Sequence, residues 1–129
     1  MRQEIMLEAL GVPISHYTHA VRFNNFLLIS GLTAHDERGT LVGEGDVALQ
    51  ADMIFRNMRK VLDAVGADFS NILKVTVYML DVKERTLINP IREKYFGKFR
   101  PASTLIGVNE LALAGMRVEI EAWVGLESA

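Results

Sequence analysis

Residues 46–66 constrain the fold more than any other part of the chain. Val47, Ala51, Ile54, Met58, Val61, Leu62 and Val65 recur at spacings of three and four, which gathers them into one stripe of an α-helix. Asp46 stands where an N-cap carboxylate is wanted, and Gly66 falls just past the last apolar position, where a helix can end in the left-handed region. A helix with a single apolar stripe must cover an apolar surface. The strand-like runs on both sides of it supply one, so the helix packs on a sheet.

Those runs follow in order. Residues 1–15 read as weakly helical or irregular, closed by Pro13. From Tyr17 to Arg22 the pattern is strand-like. Asn24-Asn25 then provides a pair tolerant of positive φ, as a tight hairpin needs, and Phe26 to Ile29 forms a second strand that Ser30-Gly31 closes. Asp36 to Gly39 reads as a turn, with a short strand possible at Thr40 to Val42. After the helix, Ile72 to Leu80 alternates Lys74, Thr76 and Tyr78 against Val75, Val77 and Met79, the pattern of a central strand. A second helical segment spans about 83–96 and ends at Gly97. Its main helix is expected to begin with Asn89 as N-cap and Pro90 at the first helical position. Finally, Ser103 to Val108 and Met116 to Val124 flank a connection rich in Ala and Leu, and read as a pair of core strands. The order is β-β-(β)-α-β-α-β-β. Without repeat, linker or low-complexity segment, it describes one α+β domain over residues 1–129, with both helices on one face of the sheet.

Composition narrows the function. Half of the residues are hydrophobic and the mean hydropathy is +0.17, high for a small chain, which suggests apolar surface buried between subunits as well as within one. With 14 basic and 16 acidic residues the net charge is -2, so electrostatic capture of nucleic acid is not expected. The chain has no cysteine, which excludes disulfides, thiolate metal sites and a cysteine nucleophile. No apolar run approaches the roughly 20 residues of a membrane span, and Met1 to Leu10, carrying Glu4 and Glu8, does not read as a signal peptide. The cytoplasm is the expected location. His16, His19 and His35 form no ligand motif, so no metal is expected, and no phosphate-cradling fingerprint announces a cofactor.

Among groups that carry chemistry, Glu119 and Glu121 stand first. Period two sends both carboxylates to one face of the last strand. That face is either a solvated surface or the wall of a pocket, and periodicity does not choose between them.

The stretch Arg100-Pro-Ala-Ser-Thr104, followed after a gap by Val118-Glu-Ile-Glu-Ala122, resembles the C-terminal signature of the RidA/YjgF family. These are the reactive-intermediate (enamine/imine) deaminases, also described as endoribonuclease L-PSP-like. Tyr17, Ile29-Ser-Gly31, Val75-Thr-Val-Tyr78, Asn89 and Tyr95-Phe96 fall in the family's order, so that the resemblance covers about residues 12–125. It implies a chorismate-mutase-like fold, a mixed sheet with two helices on one face, and a homotrimer with clefts between neighbouring subunits. It further implies a cofactor-independent deaminase that hydrolyses an enamine or imine to a ketone and ammonia.

In that resemblance Glu119 takes the place of the cleft carboxylate that positions water, and Tyr17 that of a cleft wall. Gly31 would offer its backbone N–H to a substrate oxygen. Asn89 has two explanations, as a helix cap and as a ligand contact. One position departs: the family's deaminases carry arginine directly after the Pro-Ala pair, and here Ser103 stands there. Serine keeps a donor but loses a charge-assisted pair worth about 1.5–3 kcal/mol. Ser103 therefore implies a substrate other than the usual short 2-imino acids, such as a 2-aminomuconate-type intermediate. Arg92, Lys94, Lys98, Arg100 and Arg117 are the available replacement cations, with Arg100 the first to consider and a solvated rim the ordinary fate of each. A non-catalytic ligand-binding or regulatory trimer using the same cleft is the alternative function.

Overall fold

The computed structural model describes residues 1–127. Helix α1 spans Val47–Ala64, and the Asp46 carboxylate caps it by accepting from the Leu49 N–H at 3.0 Å. Gly66, just beyond, has φ +71°, the conformation in which an absent Cβ matters. The apolar stripe is buried as expected, from Val47 through Leu62.

Six strands form one sheet. In chain order they are β1 (Arg2–Ile5), β2 (Ala20–Phe23), β3 (Phe26–Leu32), β4 (Ile72–Met79), β5 (Ala102–Gly107) and β6 (Val118–Gly125); their spatial order is β1-β2-β3-β6-β4-β5. Only β4 and β5 are parallel. Helix α1 lies against β3 and β6 and beside α2 (Arg85–Phe96). The sheet is therefore mixed, with helices on one face, the α+β architecture expected.

Several expectations need correction. The N-terminal segment is not irregular throughout, because Arg2–Ile5 pairs antiparallel with β2. Its polar, largely exposed residues give no apolar alternation to read, as is common for an edge strand. Strand β2 starts at Ala20 rather than Tyr17, and β3 continues through Ser30-Gly31 to Leu32. Residues 40–42 make only an isolated bridge, His35 to Leu41. The two last strands are not partners: β4 lies between them, leaving β5 exposed at the sheet edge in the single chain. Nor does Asn89 cap a helix. The Asp81 side chain caps a short 3-10 turn over residues 82–84 that runs into α2, so Pro90 sits inside the helix. Pro90 is exposed, and a carbonyl freed by the missing N–H on an exposed face can turn to water.

Two buried amides hold the loops to α1. Gln50 donates to the carbonyls of Gly43 (3.1 Å) and Gly115 (3.0 Å) and accepts from the Arg117 N–H at 2.8 Å, fixing the chain just before β6. Asn57 donates to the Thr33 and His35 carbonyls, both at 3.0 Å. Gln50→Leu leaves three partly buried backbone groups without their partner, and is expected to cost about 1–3 kcal/mol. Urea unfolding of the variant checks this; a midpoint equal to that of the parent would remove Gln50 from the account of how β6 is placed.

The two helices are joined by an aromatic cluster. Phe55 of α1 packs against Phe69, Tyr95 and Phe96, with ring centroids 5.3–6.1 Å apart. The Tyr95 hydroxyl donates to the Asp52 carboxylate at 3.0 Å, and burial together with that carboxylate pushes its pKa up to about 12. Lys94 pairs with the same carboxylate at 2.7 Å. These contacts fix the face that α2 presents outward.

Candidate functional site

Glu119 and Gly31 are brought into direct contact. Ile29 pairs with Ala122 and Leu32 with Ile120, so β3 carries one extra residue between them, a β-bulge at Ser30-Gly31. The Ser30 side chain secures it, its hydroxyl donating to the Thr18 carbonyl at 2.6 Å. The Glu119 carboxylate occupies the space beside Gly31. A Cβ at Gly31 would overlap it, lying 2.9 Å from its carboxyl carbon and 3.2 Å from Cγ. Glycine is thus required here by close approach rather than by backbone angle, since its φ is not among the positive ones.

Burial is the main influence on the acid, and it pushes the Glu119 pKa up; the neighbouring Glu121 charge adds to the rise. Glu121 differs although it shares the face, because it accepts a hydrogen bond from the Tyr78 hydroxyl at 2.8 Å. That bond, with burial, raises the Tyr78 pKa. On one face, then, Glu119 is half-buried against Gly31 and Glu121 is hydrogen-bonded to Tyr78.

Gly31 also lines a cavity of about 310 Å³ together with Tyr17, His35 and Asn57. Tyr17 itself is 44% exposed and precedes β2, held by a turn in which its N–H donates to the Ser15 carbonyl. His19 is buried, and its Nδ1 accepts from the Leu7 N–H at 2.9 Å. It ties the N-terminal segment to the sheet. Burial lowers its pKa, in keeping with a neutral ring that accepts at one nitrogen.

Asn89 and Ser103 stand elsewhere in the same chain. Ser103 pairs with Val75 on β4, whereas Glu119 pairs with Tyr78. Val75 and Tyr78 are three positions apart on β4, an odd step, so the alternation of a strand puts Ser103 on the helix side and Glu119 on the opposite face. Ser103 accepts a hydrogen bond from Arg92 of α2, Nη2 to Oγ at 3.0 Å. Asn89, exposed one turn earlier on α2, shares an open cleft of about 670 Å³ with Arg92 and Arg100. Within one chain, Tyr17 shares a cavity with Gly31, on which Glu119 packs from the sheet, while Asn89 shares a separate cleft with Arg92, which is bonded to Ser103.

Two side-chain contacts near these residues escape a reading of the sequence: Tyr78 with Glu121, and Arg92 with Ser103. The signal for the second was the i, i+3 spacing of Asn89 and Arg92, which places them on one face of a helix.

The family model for endoribonuclease L-PSP matches residues 7–125. A RutC family protein of Aquifex aeolicus is 40% identical over 122 residues, covering 92% of this chain and 95% of that protein. The human 2-iminobutanoate/2-iminopropanoate deaminase is 35% identical over 109 residues, covering 84% and 79%. Among solved structures, the YjgF gene product of Escherichia coli superposes with a TM-score of 0.86 at 26% identity, covering 95% of this chain and 98% of that one. A Rid-family protein of Yersinia pestis, YyfA, gives 0.90 at 28%, covering 98% and 100%. The mixed sheet backed by two helices is thus a frame shared with these solved structures. The chain belongs to the RidA/YjgF family, the endoribonuclease L-PSP family of the matching model.

Proposed function

We propose that the chain is a cofactor-independent deaminase that hydrolyses an enamine or imine to a ketone and ammonia, in clefts between the subunits of a homotrimer. The observation that carries the reading is Glu119, half-buried against Gly31 with its pKa raised. A carboxyl group of raised pKa is a better proton acceptor than an ordinary carboxylate and can relay a proton from water to a leaving amine. Water adds to the C=N carbon, Glu119 taking one of its protons. That proton passes to nitrogen to give a carbinolamine; as the C–N bond breaks, the carbinol O–H proton is transferred by way of Glu119 to the departing nitrogen, which leaves as ammonia while the carbonyl forms. One imine and one water become one ketone and one ammonia. The human relative named for 2-imino acid deamination supports the reaction class.

Assembly completes the site. Glu119 and Ser103 lie on opposite faces of one sheet, so a site containing both requires two copies. The sheet face away from the helices supports this, because Leu28 pairs with Trp123 there and both remain substantially exposed, at 43% and 52%. Light scattering is expected to give about three times 14.4 kDa; a monomer at micromolar concentration would refute the shared cleft. Tyr17, Gly31 and Glu119 would come from one subunit, Asn89 and Ser103 from its neighbour. With serine at position 103, no charged clamp comes from β5, and the short 2-imino acids are expected to be poor substrates. Ammonia release from freshly generated imines of graded length tests the reaction, and its absence for every imine would leave the non-catalytic ligand-binding trimer.

A further inference from the structure

We propose that Arg92, seated from α2 on Ser103, is the residue that holds a carboxylate of this chain's ligand, in place of a cation on β5. The proposal deepens the deaminase reading and rests on it for the identity of the ligand as an imino or enamino acid. The geometry rests on contacts already described. Arg92 Nη2 donates to Ser103 Oγ at 3.0 Å, a neutral acceptor that orients a guanidinium without neutralising it. Among the described residues no carboxylate lies within ion-pair distance of Arg92. The side chain is half-buried, and burial lowers its pKa. A partly desolvated, unneutralised guanidinium that retains free N–H groups is suited to receive an anion through parallel hydrogen bonds.

The other cations fit less well. Arg117 donates to Glu84 through both Nε and Nη2, and Lys94 is engaged by Asp52. Arg100 lines the same cleft but is exposed. Ser103 also explains its own size. A larger side chain at 103 would contend with the Arg92 guanidinium for one space, and an arginine there would place two like charges together. The small residue on β5 and the arginine on α2 act as a pair in which Ser103 is the positioning residue. Arg92 also stands one turn from Asn89 and lines the cleft with it, so a ligand gripped by Arg92 lies within reach of the Asn89 amide.

The test uses two stable 2-oxo acids, pyruvate and 2-oxoglutarate, titrated separately into the assembled protein by calorimetry. Whichever binds the parent more tightly is expected to lose ten- to a hundredfold in affinity in Arg92→Gln, with Arg92→Lys intermediate, because lysine keeps the charge but not the fork. Ser103→Arg alone should weaken binding, while Ser103→Arg combined with Arg92→Ser should restore part of it by returning the charge to β5. Equal affinity of the parent and Arg92→Gln, or a parent that binds neither acid, overturns the proposal. The two readings fail separately. Binding that depends on Arg92 without ammonia release from any imine removes the deaminase reading alone, whereas deamination with an unchanged KM in Arg92→Gln removes this one alone.

Discussion

Glu119→Gln is expected to lower kcat by about 10²–10⁴-fold while making the protein more stable at neutral pH. The amide keeps the shape of the side chain beside Gly31 but can neither accept a proton from water nor return one to the departing nitrogen. The stability effect follows from linkage. Burial and the Glu121 charge raise the Glu119 pKa in the folded state, so the native protein holds that proton more firmly than the unfolded chain does. Below the unfolded value of about 4.3, both states are protonated and the acid contributes its full share of stability. As pH rises through the folded-state pKa, that share is lost, because a half-buried group must then be charged. Glutamine carries no such penalty. Thermal unfolding from pH 4 to pH 8 should therefore show parent and variant converging at the acid end and separating towards neutrality, with the variant higher. A variant that keeps parental kcat would remove Glu119 from the chemistry. A constant Tm difference across the range would mean that its burial has no electrostatic cost.

Gly31→Ala should inactivate the protein by about 10²-fold or more while leaving the fold intact. The added methyl needs the space now held by the Glu119 carboxylate, whose carbon would lie 2.9 Å away. Backbone strain is not involved, since Gly31 lies outside the positive-φ region. The group that must yield is the end of a flexible side chain, so the carboxylate swings aside and the sheet remains. A displacement on the order of 1 Å is enough to cost about 10²-fold in rate. A double-mutant cycle isolates the cause. Once Glu119 is alanine the methyl has nothing to displace, so adding Gly31→Ala to Glu119→Ala should change neither activity nor Tm further. Loss of folding in Gly31→Ala, or a second large drop in the double variant, would show that the glycine serves something other than room for the acid.

The parts of the chain that local chemistry dictates were legible without coordinates. Asp46, the apolar stripe and Gly66 define α1, and cap, periodicity and terminator all act within a few residues of one another. Asn24, with φ 52°, makes the hairpin turn between β2 and β3. The alternation in β4 and β6 buries Val75, Val77, Ile120 and Ala122 and leaves Tyr78, Glu119 and Glu121 on the other face. Where local signals were weak or in conflict, the reading failed. The polar edge strand β1 has no apolar period, and Asn89-Pro90 imitates a helix start inside a helix that Asp81 and the turn after it had already begun.

Pairing and proximity belong to the tertiary structure. Two strands close in sequence, β5 and β6, are separated in space by β4, because strand order is decided by which apolar faces the helices cover and by how the crossovers run. The contact between Gly31 and Glu119 depends on a bulge whose partner strand lies at the other end of the chain. The choice of Arg92 over Arg100 as the neighbour of Ser103 depends on how the Phe55–Phe69–Tyr95–Phe96 cluster seats α2. Sequence by itself determined the elements, the faces they present and, through its motif resemblance, which residues to watch. Only the packing decided which of those residues meet, since a contact between distant positions is a property of the whole arrangement of strands and helices and leaves no local period to read.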